Sequence, residues 1–299
     1  MSYIRRSLLP ALVVLVLGSC ARGYDASYPV DVAQPAYTTT HPRVLFDEAH
    51  NNHHKLGTSY HPFAKLLKND GYKVIPLRKD ITDFNLSTVQ VLAIVTASGR
   101  DDASMTMAFS DAECDAIQAF VRGGGSLLLV TDHFPFGGAV LNLTSRFGIE
   151  SSQGMTFDSR NHEGSDDSQL VFSRENGLLA DHPITRGVRR VMTFTGESVR
   201  GGMPLLKLSG TAENRQPLPR VTRSGGDTRV TVEFVNPKPA AGWSQGVALE
   251  HGRGRVVVLA EAAMLTAQKE GDRLIGMNAP NCDNKQFVLN VMHWLSRHS

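Results

Sequence analysis

Cysteine is scarce in this chain, with three in 299 residues. Cys114 and Cys282 lie too far apart, with too few companions, to form a disulfide framework, and no paired-cysteine zinc motif is present. An excess of one charge is also missing. Lys and Arg total 31 against 29 Asp and Glu, and Arg5 and Arg6 are the only charges before residue 20, so the chain from there onward is formally neutral. Neutrality excludes the electrostatic footprint of a nucleic-acid binder and leaves no basic cluster for an anionic membrane surface. There is no phosphate loop, no dinucleotide fingerprint and no glycine-flanked serine elbow. Gly123-Gly124-Gly125 precedes an apolar run instead of opening a helix, so it reads as a helix stop. The longest apolar run near the start, Leu8 to Leu17, falls well short of the roughly 20 residues that span a bilayer.

What is there begins with a leader. Two arginines, that apolar run and Leu17-Gly18-Ser19-Cys20 resemble the lipobox of a bacterial lipoprotein signal. The resemblance implies removal of residues 1–19, a lipid on Cys20, and a mature protein held extracytoplasmically on a bacterial membrane, at the periplasm or the cell surface. Residues 20–41, with Pro29, Pro35 and three consecutive threonines, have no helical period and read as an extended tether. Residues 42–299 then form one α/β domain with a β-rich insertion at about 150–245.

The first half of that domain alternates strands and helices. Arg43 to Phe46, Tyr72 to Leu77, Val91 to Val95 and Ser126 to Val130 read as strands. Phe63, Leu66 and Leu67 share a helical face, and Ser110 with Glu113 makes a capping box. The second half is strand-like over Arg190 to Thr195, Pro204 to Leu208, Arg229 to Val235, Gly246 to Glu250 and Arg255 to Ala260, with a hairpin turn at His251 to Gly254. A closing helix carries Phe287, Val288, Val291 and Leu295 on one face, opened by Asp283 and Gln286. The expected fold is a mostly parallel sheet flanked by helices, with the β-rich insertion in the second half.

Three apolar runs end on acids or histidines: Val44-Leu45-Phe46 at Asp47-Glu48-Ala49-His50, Leu127-Leu128-Leu129-Val130 at Thr131-Asp132-His133, and Val256-Val257-Val258-Leu259-Ala260 at Glu261. These segments, with Gly252-Arg253-Gly254-Arg255 before the last, resemble uncharacterised bacterial proteins with a class I glutamine amidotransferase-like domain. That group is similar to a domain of gliding-motility accessories and of an intraflagellar transport subunit. The resemblance covers residues 42–298 and implies a flavodoxin/amidotransferase-like sheet. True amidotransferases carry a nucleophilic cysteine at the tight turn after the central strand, where this chain has Thr131-Asp132-His133, so glutamine hydrolysis through a thioester is unsupported.

Parallel strands ending on such residues gather them at one sheet edge, where open α/β folds bind ligands. The candidate catalytic residues are Asp132, His133, Glu261, Asp47 and His50. Asp132, beside the Gly137-Gly138 helix start, is expected to have a lowered pKa and to act as base, nucleophile or metal ligand. Equally, Asp132 holds the turn while His133 packs on Phe134 and Phe136. A divalent metal is one option, with His50, His54, Asp132 and His133 as candidate ligands, although the segment around His53 and His54 reads more simply as a polar surface loop. Glu197 follows a strand of the insertion and is placed to close over the same edge, while Gln268 and Asn278 serve as ligand contacts or loop anchors. Two accounts follow. One is an extracytoplasmic acid–base or metal-assisted hydrolase, in which at least three of these side chains converge in a concave pocket within hydrogen-bond reach or around one ion. The other is a non-catalytic module that binds a small molecule, sugar, peptide or membrane-complex partner, with an exposed aromatic patch at Trp243 or Phe134 to Phe136.

Overall fold

The computed structural model describes residues 14–16, 23–99, 106–224 and 227–298. The leader and Cys20 therefore lie outside the described residues, save Val14–Val16.

Five strands form the parallel half of a nine-stranded sheet: β1 (Arg43–Asp47), β2 (Lys73–Leu77), β3 (Val91–Val95), β4 (Ser126–Val130) and, late in the chain, Gly254–Leu259. They lie in the order β2-β1-β3-β4 and then the late strand, each parallel to its neighbour. Their near-continuous apolar runs suit burial on both faces. Val44, Phe46, Leu128 and Val257 point to one face, where α1 (His61–Asn69) and the closing helix pack through Phe63, Leu66, Phe287 and Val291. Leu45, Leu92, Leu127 and Val256 point to the other, covered by Ile117 and Val121 of α2 (Asp111–Arg122) and by Leu143. The Ser110–Glu113 capping box forms as expected: the Ser110 hydroxyl accepts from the Glu113 N–H, and the Glu113 carboxylate accepts from the Ser110 N–H.

After the short helices α3 (Phe136–Ala139) and α4 (Leu141–Ser145), the chain turns β-rich. The strands β5 (Glu150–Ser151), β6 (Met155–Asp158), β7 (Val199–Arg200) and β8 (Met203–Lys207) are short. Then β9 (Ala212–Ser224) and β10 (Asp227–Pro239) form a long antiparallel ribbon, which β6 extends at its base. Val14–Val16 pairs antiparallel with Thr231–Glu233 on the outer edge of β10. Finally β11 (Ser244–His251) and β12 (Gly254–Leu259) form the expected hairpin, and β11 continues the main sheet in antiparallel fashion through β7 to β5, with β8 beside it. The result is an α/β protein with one large mixed sheet and additional β-rich sheets.

Two expectations change. Residues 24–37 run along the body. Val30 is buried, the Tyr28 hydroxyl donates to the Met277 carbonyl, the Tyr37 hydroxyl donates to Ser296, and Tyr24 stacks on His61. Tyrosines and a valine in an aperiodic segment are enough to strap it down without secondary structure. The closing helix, α5 (Asn284–Leu295), is opened by Asp283 without a side-chain cap. The Asp283 carboxylate accepts from the Arg189 and Arg190 N–H groups instead, fastening the insertion to the helix start. Cys114 and Cys282 are both free.

Candidate functional site

The carboxyl ends of β1, β3, β4 and β12 bring the predicted residues to one edge, where they sort into two separate networks. The first lies at the end of β1. Asp47, fully buried, accepts from the Ala49 N–H, from His50 Nδ1 at 2.8 Å and from the Asn52 side chain at 3.0 Å. The other His50 nitrogen, Nε2, stands 3.0 Å from Glu113 Oε1. Both nitrogens face carboxylates, an arrangement that favours the doubly protonated ring. Burial opposes that charge, but the bonds to Asp47 and Glu113 outweigh it and carry the His50 pKa above its ordinary value. Glu113 also accepts from the Ile81 N–H. Sequence reasoning assigned Glu113 to the helix cap alone, because nothing local shows that its second oxygen reaches across to His50. Asn52 fills the space between strands, donating to both Asp47 and the Val95 carbonyl.

The second network lies at the ends of β4 and β12. Asp132 is 6% exposed. Its two oxygens accept from the His133 N–H at 2.7 Å and the Ala262 N–H at 3.1 Å. Its pKa is raised, contrary to the lowering expected from a helix start: burial dominates, and α3, only four residues long, does not offset it. His133 donates through Nδ1 to the Phe134 carbonyl, and its Nε2 is 3.6 Å from Asp132, beyond hydrogen-bond range. Glu261 is fully buried and accepts from the Ala263 and Met264 N–H groups at 2.7 and 2.8 Å, which closes the turn after β12. Burial and the neighbouring charge of Asp132 push its pKa well up. Burial, with those same two carboxyls adding to it, raises the pKa of Tyr60, whose hydroxyl donates to the Ala262 carbonyl.

Glu197 completes this second group. It accepts from the Thr131 hydroxyl at 2.7 Å, from the Gln153 N–H at 2.8 Å and from the Ser151 hydroxyl. Burial raises its pKa to about 7, and Asp132 adds to the effect. Gly137 is glycine for this reason: a Cβ there would lie 2.3 Å from the Glu197 carboxylate. Two non-glycine residues at the same edge, Asn51 and Thr96, have φ of 46° and 42°. For a β-branched residue such as Thr96 this is a strained backbone. It is held there by its own N–H donating to the Val130 carbonyl and by the His53 N–H donating to its carbonyl.

The five candidates therefore divide between the two networks, three of them in the second. Asp47 and His50 belong with Glu113 and Asn52, whereas Asp132, His133 and Glu261 belong with Glu197 and Tyr60. His50, His54, Asp132 and His133 do not assemble as metal ligands. His50 lies between its two carboxylates and His54 Nδ1 is 2.6 Å from the Ser59 hydroxyl, and among the described residues no group of three His, Cys, Asp or Glu side chains is disposed to hold an ion. Two cavities, of about 370 and 450 Å³, lie elsewhere, one behind Gly123–Gly125 at the opposite sheet edge and one beside Arg174 and His182. Of the residues named for an aromatic patch, Phe134 is buried, whereas Phe136 and Trp243 are half-buried, Trp243 beneath the Arg200 guanidinium. Gln268 and Asn278 are loop anchors, bonding Thr266 and Asp25 respectively.

The fold and site thus define an α/β domain whose carboxyl-terminal sheet edge is filled by its own polar side chains. No family model matches the chain, and no curated protein does. Among solved structures it is similar to the mmIFT52 N-terminal domain, 14% identical over 85% of this chain and 97% of that one, with a TM-score of 0.57. At that identity the likeness is one of fold. Two cytoplasmic proteins of Salmonella typhimurium, 11% and 12% identical and covered over 98% of their length by 85% and 86% of this chain, have TM-scores of 0.46.

Proposed function

We propose that this chain is a lipid-anchored, extracytoplasmic binding or assembly module whose amidotransferase-like sheet performs no catalysis. The strand order β2-β1-β3-β4-β12 supports a flavodoxin- and amidotransferase-like reading, with Asp132 at the turn where amidotransferases place their cysteine. The observation that carries the non-catalytic reading is the use of the edge carboxylates as acceptors that close their own turns. Each oxygen of Asp132 and Glu261 already accepts a backbone N–H, and the space between β1 and β3, where such sheets take ligands, holds Asn52. A reacting group needs an open side toward substrate. The fold shared with the mmIFT52 N-terminal domain is compatible with enzymes and inert modules alike.

The test is metal content and turnover of the protein purified from membranes in detergent. We expect substoichiometric divalent metal, and hydrolysis of chromogenic esters, phosphoesters and glycosides no faster than by an Asp132→Asn/His133→Ala double variant. Stoichiometric metal, or turnover lost in that variant, would overturn the reading and favour the hydrolase, to which the strained Thr96 and the slight exposure of Asp132 lend their support.

The anchor is tested separately. Radiolabelled palmitate should enter the native protein and not a Cys20→Ala variant, and the mass of the native chain should correspond to residues 20–299 plus lipid. An unlipidated chain that starts elsewhere would remove the membrane from the proposal.

A further inference from the structure

The β9–β10 ribbon has two unlike edges. On β9, Pro217 lies opposite Phe234 and Pro219 opposite Val232. Proline lacks an N–H, so these are the non-bonded pairs of the ladder, and both prolines turn their nitrogens outward. The outer edge of β9 is thereby blunted against further pairing. The same register directs the backbone groups of Val232 and Phe234 outward on β10, together with those of residues 228 and 230. No proline interrupts β10 before Pro237. This open edge receives a strand in the structure: Val14, Leu15 and Val16 lie opposite Glu233, Val232 and Thr231.

Residues 14–16 belong to the leader, and under the proposed maturation they leave the protein. We propose that the edge they vacate pairs with β10 of a second copy, antiparallel, about a two-fold axis through Thr231. This rests on the leader removal proposed above. The sequence Arg229-Val230-Thr231-Val232-Glu233 is self-complementary in that register: position 229 falls opposite Glu233 of the second copy, 230 opposite Val232, and Thr231 opposite itself. Opposite charges and β-branched pairs across strands are each worth roughly 0.2–1 kcal/mol, and each occurs twice about the axis. Neighbouring registers are worse. An axis through 230 sets Asp227 against Glu233, and one through Val232 leaves Arg229 opposite Val235. An axis between residues would set outward-facing groups against inward-facing ones. The pairing joins the two ribbons into one sheet, flanked at each base by β6 and blunted beyond it by Pro217 and Pro219.

Thr231 opposite Thr231 is a non-hydrogen-bonded pair, with Cα atoms about 4.5 Å apart, inside the span of a disulfide. Thr231→Cys should therefore give, in oxidised membranes, a reducible species of twice the monomer mass, absent from the native sequence and from Val235→Cys. Without cross-linking, the detergent-purified protein should sediment as a dimer. Arg229→Glu should raise the dissociation constant at least tenfold. A monomer at micromolar concentration, or cross-linking at 231 no greater than at 235, overturns the proposal. The intact mass separates this from failure of the reading beneath it: a chain that keeps residues 1–19 removes the vacated edge altogether, whereas a lipidated mature chain that stays monomeric refutes the pairing alone.

Discussion

Glu261→Ala should destabilise the protein by about 3–5 kcal/mol, a large part of the stability of an ordinary domain. The carboxyl closes the turn after β12 by accepting the Ala263 and Met264 N–H groups, and it is fully buried. Alanine leaves both donors in a space that water does not reach, and each unmet buried donor costs about 1–3 kcal/mol. A cavity beside Tyr60 adds to the loss. One effect opposes these. The charge of Asp132 adds to the burial that disfavours an ionised Glu261, and removing Glu261 removes that repulsion. The relief is smaller than the loss, because the turn depends on the acceptors and not on the charge. Denaturant unfolding of the native and variant proteins measures the difference, and a shift below about 1 kcal/mol would show that the turn after β12 holds without the carboxyl. A catalytic carboxylate behaves in the opposite sense, since its removal commonly relieves strain and stabilises.

Much of this architecture is legible in the residues. The apolar runs that become β1, β3, β4 and β12 are buried on both faces, so they carry no alternation to confuse them with surface strands. Ser110 and Glu113 state their capping box locally, and His251 to Gly254 states its hairpin. What escapes is long-range or concealed. β9 is hidden by Pro217 and Pro219, which argue against a strand until the strand is known to be an edge. Glu113 reads as a cap because its reach to His50 spans 63 positions. The partners of Glu197, Ser151 and Gln153, come from an insertion whose path no local pattern predicts. The expected sign of the Asp132 pKa failed for a related reason: a helix start is visible in sequence, while the depth of burial that outweighs it is a property of the packed whole. Residues 24–37 looked free because tethering by isolated tyrosines has no period.

The same burial makes the protein more stable in mild acid than in mild base, and Glu197→Gln should narrow that difference. Glu197 titrates near 4.5 when exposed and at about 7 in the fold. Its folded pKa lies above its unfolded one, so between those values the folded state binds the extra proton. Folding is favoured while the group is protonated in both states, and stability falls as pH rises from about 4.5 to about 7. The full difference for this one group is about 3 kcal/mol. His50, raised by its bonds to Asp47 and Glu113, acts in the same direction: its contribution is complete below its ordinary value and is lost as pH rises through the folded one. The lowered acids Glu113, Asp158 and Asp166 act oppositely, but only as pH falls below their ordinary range. Across the interval from pH 5 to pH 8 the raised groups are opposed by His182, whose pKa burial lowers, so that its contribution falls as pH drops below the ordinary histidine value. Glutamine at 197 keeps the shape, and its amide can donate to the Thr131 or Ser151 hydroxyl, each of which can accept in turn. The native protein should melt higher at pH 5 than at pH 8, and Glu197→Gln should shrink the gap by on the order of 5–10 °C, leaving a remainder due to His50, Asp132 and Glu261. An unchanged gap would mean that Glu197 is ionised throughout the interval, which would demand a compensating cation at the sheet edge and return the metal-dependent reading to consideration.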